Sequence, residues 1–482
     1  MKIYLLTGLT LFTIIVNGQV RQPHSLYFME TIPQISQMNP AFQPRANGYV
    51  ILPGVNADIL SDLAGKEIFQ QQKDDWFIPI QEEYDYNKLW KSIGEKKSVV
   101  FNSGVDLDLI GYGLRVGNGY FSFGISEHFT ANAVSPTDLF KLAEQKGITN
   151  KKSYDLSPLH AQAMAYLQVQ FGYSLKVNNR LTVGMNVKPL FGQAAIVPKV
   201  EKFKVVRENS IWDTEIRGTV HSSKLVDKIE WDNDNDIYNV TFKDLEYYQF
   251  YDWVNYGFDF SNPGIAFDIG AAYQINDRLN ISAALNNLGF ISWKEDLKWF
   301  SANINVSIDE EITEDKFDEW LESLKDELNG SFKFREQQDN FKTALSPVFY
   351  AGASYQLTES LSAGLLSRSV FWKNNFRQSF NLSGYFQPYS FVALNAGVTW
   401  QMKNNVYLGG GLTFLLGPLQ IYVLTDCIPT RFSKLKDEYG EEIAYLPLHL
   451  NSLTARVGIN LILGRHGYVN RPMLEKRKNS WN

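Results

Sequence analysis

The chain has 482 residues, of which 44% are hydrophobic, 14% aromatic and only 20% charged, with a formal net charge of -6. No apolar run beyond the signal-like N-terminus reaches the ~20 residues that a membrane-spanning helix needs, which excludes a helical membrane protein. The lack of a basic stripe outside the C-terminal tail excludes nucleic-acid binding, and the lone Cys427 excludes an intrachain disulfide and a cysteine zinc site.

Lys2, the apolar stretch 3–16, and Val16 and Gly18 at the small-residue positions read as a signal peptide over 1–18, with Gln19 as the mature start. Secretion without disulfides points to a bacterial envelope. Residues 19–47 carry four prolines and little periodicity, which suits a disordered periplasmic leader. A barrel is expected over 48–464, followed by a basic periplasmic tail, 465–482, with Arg465, Arg471, Lys476, Arg477 and Lys478.

The strands are read from alternation. Within 160–176, Ala161, Ala163, Ala165, Leu167, Val169, Phe171, Tyr173 and Leu175 interleave with mostly polar residues. A tilted spanning strand needs about nine to eleven residues, and successive side chains face opposite sides, here lipid and a polar lumen. In chain order the predicted strands are 49–55, 105–116, 120–126, 160–176, 181–187, 265–275, 279–285, 345–357, 361–371, 379–386, 391–400, 406–416, 419–425 and 453–463. These predict an all-β fold, a transmembrane antiparallel β-barrel of about 14 strands in the outer membrane, with its outer face on lipid. With a periplasmic N-terminus, tight turns near Gly117, Asn178, Asp277, Glu359, Pro388 and Pro418 share one end, and long extracellular loops fall on the other. A soluble sandwich also alternates but rarely gathers its tight turns at one end.

The long excursions are 57–104, 129–159, 198–263, 301–343 and 427–450; loops of that length suggest a partner surface or a lid. Ser135, Pro136 and Asp138 ahead of Leu139, Phe140, Leu142 and Ala143 predict a short helix with proline at its first position. Phe317, Trp320, Leu321, Leu324 and Leu328 predict an acidic amphipathic helix that covers the barrel mouth or lies on neighbouring loops. Tyr247, Tyr248, Phe250, Tyr251, Trp253, Tyr256 and Phe258 suit an interfacial aromatic girdle or an aromatic ligand platform. Asp232 to Asp236 begin like a calcium loop, but Ile237 and Lys243 occupy the positions that need glycine and glutamate, so no metal is expected.

None of the six histidines sits in a catalytic signature, so no enzyme and no cofactor are expected. The observation that would argue otherwise is a serine hydroxyl within hydrogen-bond reach of His128, His160 or His449. Asp106, Asp108, Lys188, Asp268, Arg368 and Arg456 fall on the polar faces and are predicted to point into the lumen. There they either pair and fill a closed barrel or line a selective path.

Ser36 to Ala41, containing Asn39, Pro40 and Ala41, resembles the entry segment of FadL-type outer-membrane barrels and of the PorV and PorP/SprF barrels of Bacteroidota. Residues 267–293, with Asn287, Leu288, Gly289 and Trp293 after a hairpin, and Gly458, Ile459, Asn460 and Leu461 near the close, look like an uncharacterised Bacteroidota barrel family related to those groups. One departure is the 19 residues after Leu463, where barrels of this kind usually end on a strand with a terminal aromatic. The FadL likeness implies fourteen strands, a plug formed by residues 19–47 and containing Asn39, Pro40 and Ala41 in place of a disordered leader, and passive uptake of hydrophobic small molecules through a lateral opening. The PorV and PorP/SprF likeness implies a docking barrel for envelope or secretion proteins, and the sequence leaves both readings open.

Overall fold

The computed structural model describes residues 23–464, apart from 73–74, 78–90, 94–95, 145–152, 209–210, 233–236, 243–258, 310–332, 336–338, 373–374, 402–404, 430, 437–441 and 448. The signal segment, the helix expected near Trp320, the aromatic cluster near Trp253 and the basic tail therefore lie outside the described residues. Among the described residues no helix is long and apolar enough to cross a membrane, which says nothing of strands.

Fourteen antiparallel strands close on themselves. They are β1 (Gly48–Ile51, continued by Gly54–Ser61), β2 (Ser98–Val116), β3 (Gly119–Pro136), β4 (His160–Lys176), β5 (Leu181–Glu208), β6 (Pro263–Gln274) and β7 (Leu279–Trp293). The ring continues through β8 (Phe341–Ala344 and Val348–Gln356), β9 (Leu361–Trp372), β10 (Asn375–Tyr389), β11 (Val392–Gln401), β12 (Asn405–Leu416), β13 (Leu419–Thr425) and β14 (Ser452–Leu463). Each strand pairs with the next, and β14 returns to β1 from Gly48↔Leu463 to Leu60↔Ser452. Among the described residues the ring closes through the pairing of β14 with β1, so the barrel wall has no free edge there.

Burial alternates in the sense opposite to that of a water-soluble sheet. On β10, Phe380 and Leu382 are exposed, whereas Asn381, Ser383 and Tyr385 are buried; on β14, Val457 is exposed, whereas Thr454, Arg456 and Asn460 are buried. Apolar side chains outside and polar ones inside are what a hydrocarbon solvent selects, so the barrel is transmembrane. The short connections gather at one end. Gly117 and Gly417 take positive φ there (+58° and +66°), a conformation that costs glycine nothing. Asn178 and Asn276 close their turns by accepting hydrogen bonds from the backbone N–H groups two and three residues on.

Several strands outrun their expected bounds. β5 extends to Glu208, and its far half pairs with Ile211–Ser223, which pairs with Leu297–Asp309, so much of the excursions expected at 198–263 and 301–343 is sheet projecting beyond the loop end. The strand expected over 345–357 is broken before Val348, because Pro347 supplies no ladder N–H. The strand expected to end at Phe386 runs on to Tyr389, with Pro388 accommodated where the pairing with β11 shifts register, while the Gln387 N–H still reaches Ser360 O on the other side. The short helix is Thr137–Glu144; Pro136 ends β3 instead of opening the helix.

Leu382, near the middle of β10, and Leu463, at the last position of β14, are both exposed on the outer wall. Leu382→Arg is expected to destabilise the barrel by about 2–4 kcal/mol and Leu463→Arg by about 0–1 kcal/mol, as depth in the bilayer dictates. Urea unfolding in phospholipid vesicles checks this, and equal effects would contradict the transmembrane assignment.

Candidate functional site

The lumen is occupied by the chain's own N-terminal segment, Pro23 to Asn47. Its two tight helical turns, His24–Leu26 and Pro33–Gln37, belong to a series of i→i+3 bonds that runs from Leu26 N–H on Pro23 O to Phe42 N–H on Asn39 O. A chain inside a barrel cannot join the ladder, so local turns satisfy its backbone. Leu26, Tyr27, Met29, Ile32 and Met38 pack against Ala284, Val348, Tyr350, Leu366, Tyr385, Tyr422 and Leu424 of the inner wall. This apolar cluster sits inside an otherwise polar tube. It accounts for Leu and Val at inward positions, where strict alternation would place polar residues.

Wall side chains hold the segment at each level. Asp426, just past β13, accepts from the backbone N–H groups of His24 and Ser25 and from His24 Nδ1, while His24 Nε2 lies 2.8 Å from Ser379 Oγ. Gln34 and Asn460 exchange two amide hydrogen bonds of 2.8 and 3.0 Å, and Gln420 donates to Thr31 O at 2.7 Å. Gln37 donates to Asp108 Oδ1 at 3.3 Å and accepts from Arg456 Nη2 at 2.8 Å. Asn286 donates to the carbonyl oxygens of Gln37 and Met38, at 2.9 and 3.1 Å.

Asn39, Pro40 and Ala41 lie against two strand glycines. The Asn39 side chain accepts from Ala41 N–H at 2.9 Å and donates to Ala283 O at 3.3 Å. A Cβ on Gly270 would come within 2.1 Å of Asn39 Oδ1, and one on Gly184 within 2.1 Å of Pro40 O. These two positions are open because the segment presses directly on the wall, with its backbone at Gly184 and with the Asn39 and Pro40 side chains at Gly270.

The six charged residues expected to face the lumen include two ion pairs. Arg456 reaches Asp108 at 2.7 Å and Lys188 reaches Asp268 at 2.6 Å, both pairs largely buried. Asn186 donates to Asp268, and Asn287 accepts from Lys188 at a bulge where Asn287 itself takes a φ of +62°. Arg368 is buried, with its guanidinium carbon 6.0 Å from the centre of the Tyr350 ring; its Nε has no hydrogen-bond partner among the described residues. Asp106 pairs with His128, on the neighbouring strand, and accepts from Asn56 Nδ2.

Sequence reasoning passed over His24, Gln34, Gln37, Asn286, Asp426 and the small residues opposite the segment. Glycines at inward strand positions, such as Gly184 and Gly270, are the available signal, since an empty inward position marks a close approach by another part of the chain. Between the segment and the loop end lies a vestibule of about 540 Å³. Gln37 forms part of its floor, and its walls include Asp106, Ser126, His128, Gln168, Lys188, Val348, Arg368 and Val370. Among the described residues no group of three or more His, Cys, Asp or Glu side chains is arranged to hold a metal ion.

A closed ring with an apolar outer face, and with a polar inner face held against its own N-terminal segment, defines a lumen-filled transmembrane β-barrel. The chain belongs to a family of unknown function, DUF5723, which matches residues 40–426. No curated protein matches the sequence. Among solved structures it is similar to the toluene transporter TbuX of Ralstonia pickettii (10% identity, covering 94% of this chain and 100% of that one, TM-score 0.44). It is also similar to a FadL homologue of Pseudomonas aeruginosa (11% identity, 92% and 97% covered, TM-score 0.44). A third similar structure is the monoaromatic hydrocarbon channel CymD (10% identity, 94% and 99% covered, TM-score 0.43).

The contact between Asn39 and Gly270 gives a direct check on the segment's seat. Gly270→Ala is expected to cost about 1–3 kcal/mol through overpacking, and less in an Asn39→Ala background, where the oxygen it would strike is gone. A double-mutant cycle in unfolding free energy measures this, and strict additivity would contradict the contact.

Proposed function

We propose that the protein is an outer-membrane barrel for passive uptake of small molecules, in which Pro23 to Asn47 is the plug and gate. The observation that carries this reading is the asymmetry of the lumen: bonded shut by the segment below, and hollow above it over about 540 Å³. A solute arriving from the loop end meets a formed vestibule, and its further passage requires the segment to shift.

The vestibule also bears on the solute. Uptake of purely hydrophobic compounds calls for an apolar pocket, yet Asp106, His128, Gln168, Lys188 and Arg368 stand here beside Val348 and Val370. The solute that fits this lining is amphipathic, with its polar end among the charged groups. A docking role for an envelope or secretion complex is the second reading. It is favoured by the sheet that β5, Ile211–Ser223 and Leu297–Asp309 raise beyond the barrel, a surface larger than a channel needs.

Reconstituted in liposomes, the full chain is expected to admit a small amphipathic dye slowly, and a chain lacking 23–47 to admit it at least about ten-fold faster, since that segment closes the lumen among the described residues. Heat-modifiable migration verifies that both barrels are folded. Equal, negligible uptake by two folded barrels would sink the uptake reading and leave the docking one.

A further inference from the structure

One cluster in the vestibule brings a serine, a histidine and a carboxylate together. Ser126 and His128 stand two residues apart on β3, so both side chains project into the lumen, and Asp106 on β2 lies directly across from His128 in the pairing. Ser126 Oγ is 2.8 Å from His128 Nε2, and His128 Nδ1 is 2.6 Å from Asp106 Oδ1. Asp106 accepts the proton on Nδ1, which leaves Nε2 as the acceptor facing the serine hydroxyl, the tautomer a general base requires.

The surroundings fix this geometry. Asn56 Nδ2 bonds the second oxygen of Asp106, and the Tyr166 ring stacks on the imidazole at 4.8 Å with planes 13° apart. Gln168 Nε2 donates to Ser126 Oγ at 3.4 Å, which puts a side-chain donor next to the nucleophile. All of these except Asn56 border the open vestibule.

A purely structural reason fits poorly. β2 and β3 are already laddered from Ser98↔Pro136 to Val116↔Gly119, so the backbone holds these two strands together without the trio. The comparison within the molecule is Ser379, His24 and Asp426, the same residue types at similar spacing. There the carboxylate also accepts two backbone N–H groups of the N-terminal segment, and the trio anchors that segment.

We propose that Ser126, His128 and Asp106 form a nucleophilic hydrolytic centre for small carboxylic esters that enter the vestibule. Ser126 Oγ bonds to the acyl carbon as its proton passes to His128 Nε2, and Asp106 stabilises the imidazolium. The ester C–O bond then breaks, and the departing alkoxide takes that proton and leaves as the alcohol. Water attacks the acyl-serine, giving a proton to His128 Nε2; the serine C–O bond breaks, Ser126 Oγ recovers the proton, and the carboxylic acid departs. Gln168 Nε2 donates to the developing oxyanion in both halves. The proposal needs the vestibule to be reachable from solvent but not the segment to move, so it stands or falls separately from uptake.

The test is the folded full-length protein in detergent with a small alkyl fluorophosphonate, followed by intact mass and peptide mapping. One adduct is expected, on Ser126, absent from Ser126→Ala and retained in Ser379→Ala. In Asp106→Asn, which keeps the side chain's shape, labelling should slow by about 10³–10⁴-fold through the wrong tautomer. Turnover of p-nitrophenyl acetate should fall in the same order. No adduct on Ser126, or an adduct formed equally fast in Asp106→Asn with native heat-modifiable migration, overturns the proposal.

Discussion

The structure depends on how the inside of a fourteen-stranded ring is filled. A ring of that size leaves more room than its own inward side chains can occupy, and every buried polar group there needs a partner. The N-terminal segment serves both demands. Its apolar side chains take up the width against Tyr350, Leu366, Tyr385 and Leu424, and its carbonyls and the Gln34 amide bond the side-chain amides of Asn286, Gln420 and Asn460. The wall is in turn adapted to it: Gly184 and Gly270 leave no side chain where Pro40 and Asn39 press. Sequence elements far apart in the chain therefore constrain one another through the lumen.

Two buried ion pairs follow from the same constraint. Arg456 and Asp108 lie against Gln37 at the segment, and Lys188 and Asp268 lie at the bulge carrying Asn287. An isolated charge in such surroundings is costly, whereas a pair with extra hydrogen bonds to its remaining donors and acceptors is tolerated, and removal of either partner strands the other. The charges near the segment thus hold it in register, while Arg368, Asp106 and His128 face the space above it.

Much of the wall was legible from the chain. The period-two pattern of His160 to Lys176 matches β4 end to end, and Leu419 to Thr425 matches β13, because a strand wet on one face and in hydrocarbon on the other has to alternate. What alternation could not reach was the sheet beyond the membrane. There both faces of a strand meet water or protein, so Ile211–Ser223 and the far half of β5 carry no clean period. Long-range partners were equally hidden. Asp108 and Arg456 were both readable as inward, but their pairing depends on closure between β14 and β1; Ser126 and His128 come together with Asp106 only through the register of β2 on β3. The lumen segment was readable as aperiodic and proline-rich, while its contacts come wholly from tertiary packing.

The central claim is that the N-terminal segment occupies the lumen, and thiol accessibility tests it most directly. In a Cys427→Ala background, Ile35→Cys places a thiol on the segment at a position only 2% exposed. The folded barrel in micelles should leave it unmodified by a maleimide over a time in which Gly117→Cys, at an open turn, reacts to completion, and heating should expose it. Equal rates at the two positions in the folded barrel would place the segment outside the lumen and contradict the account.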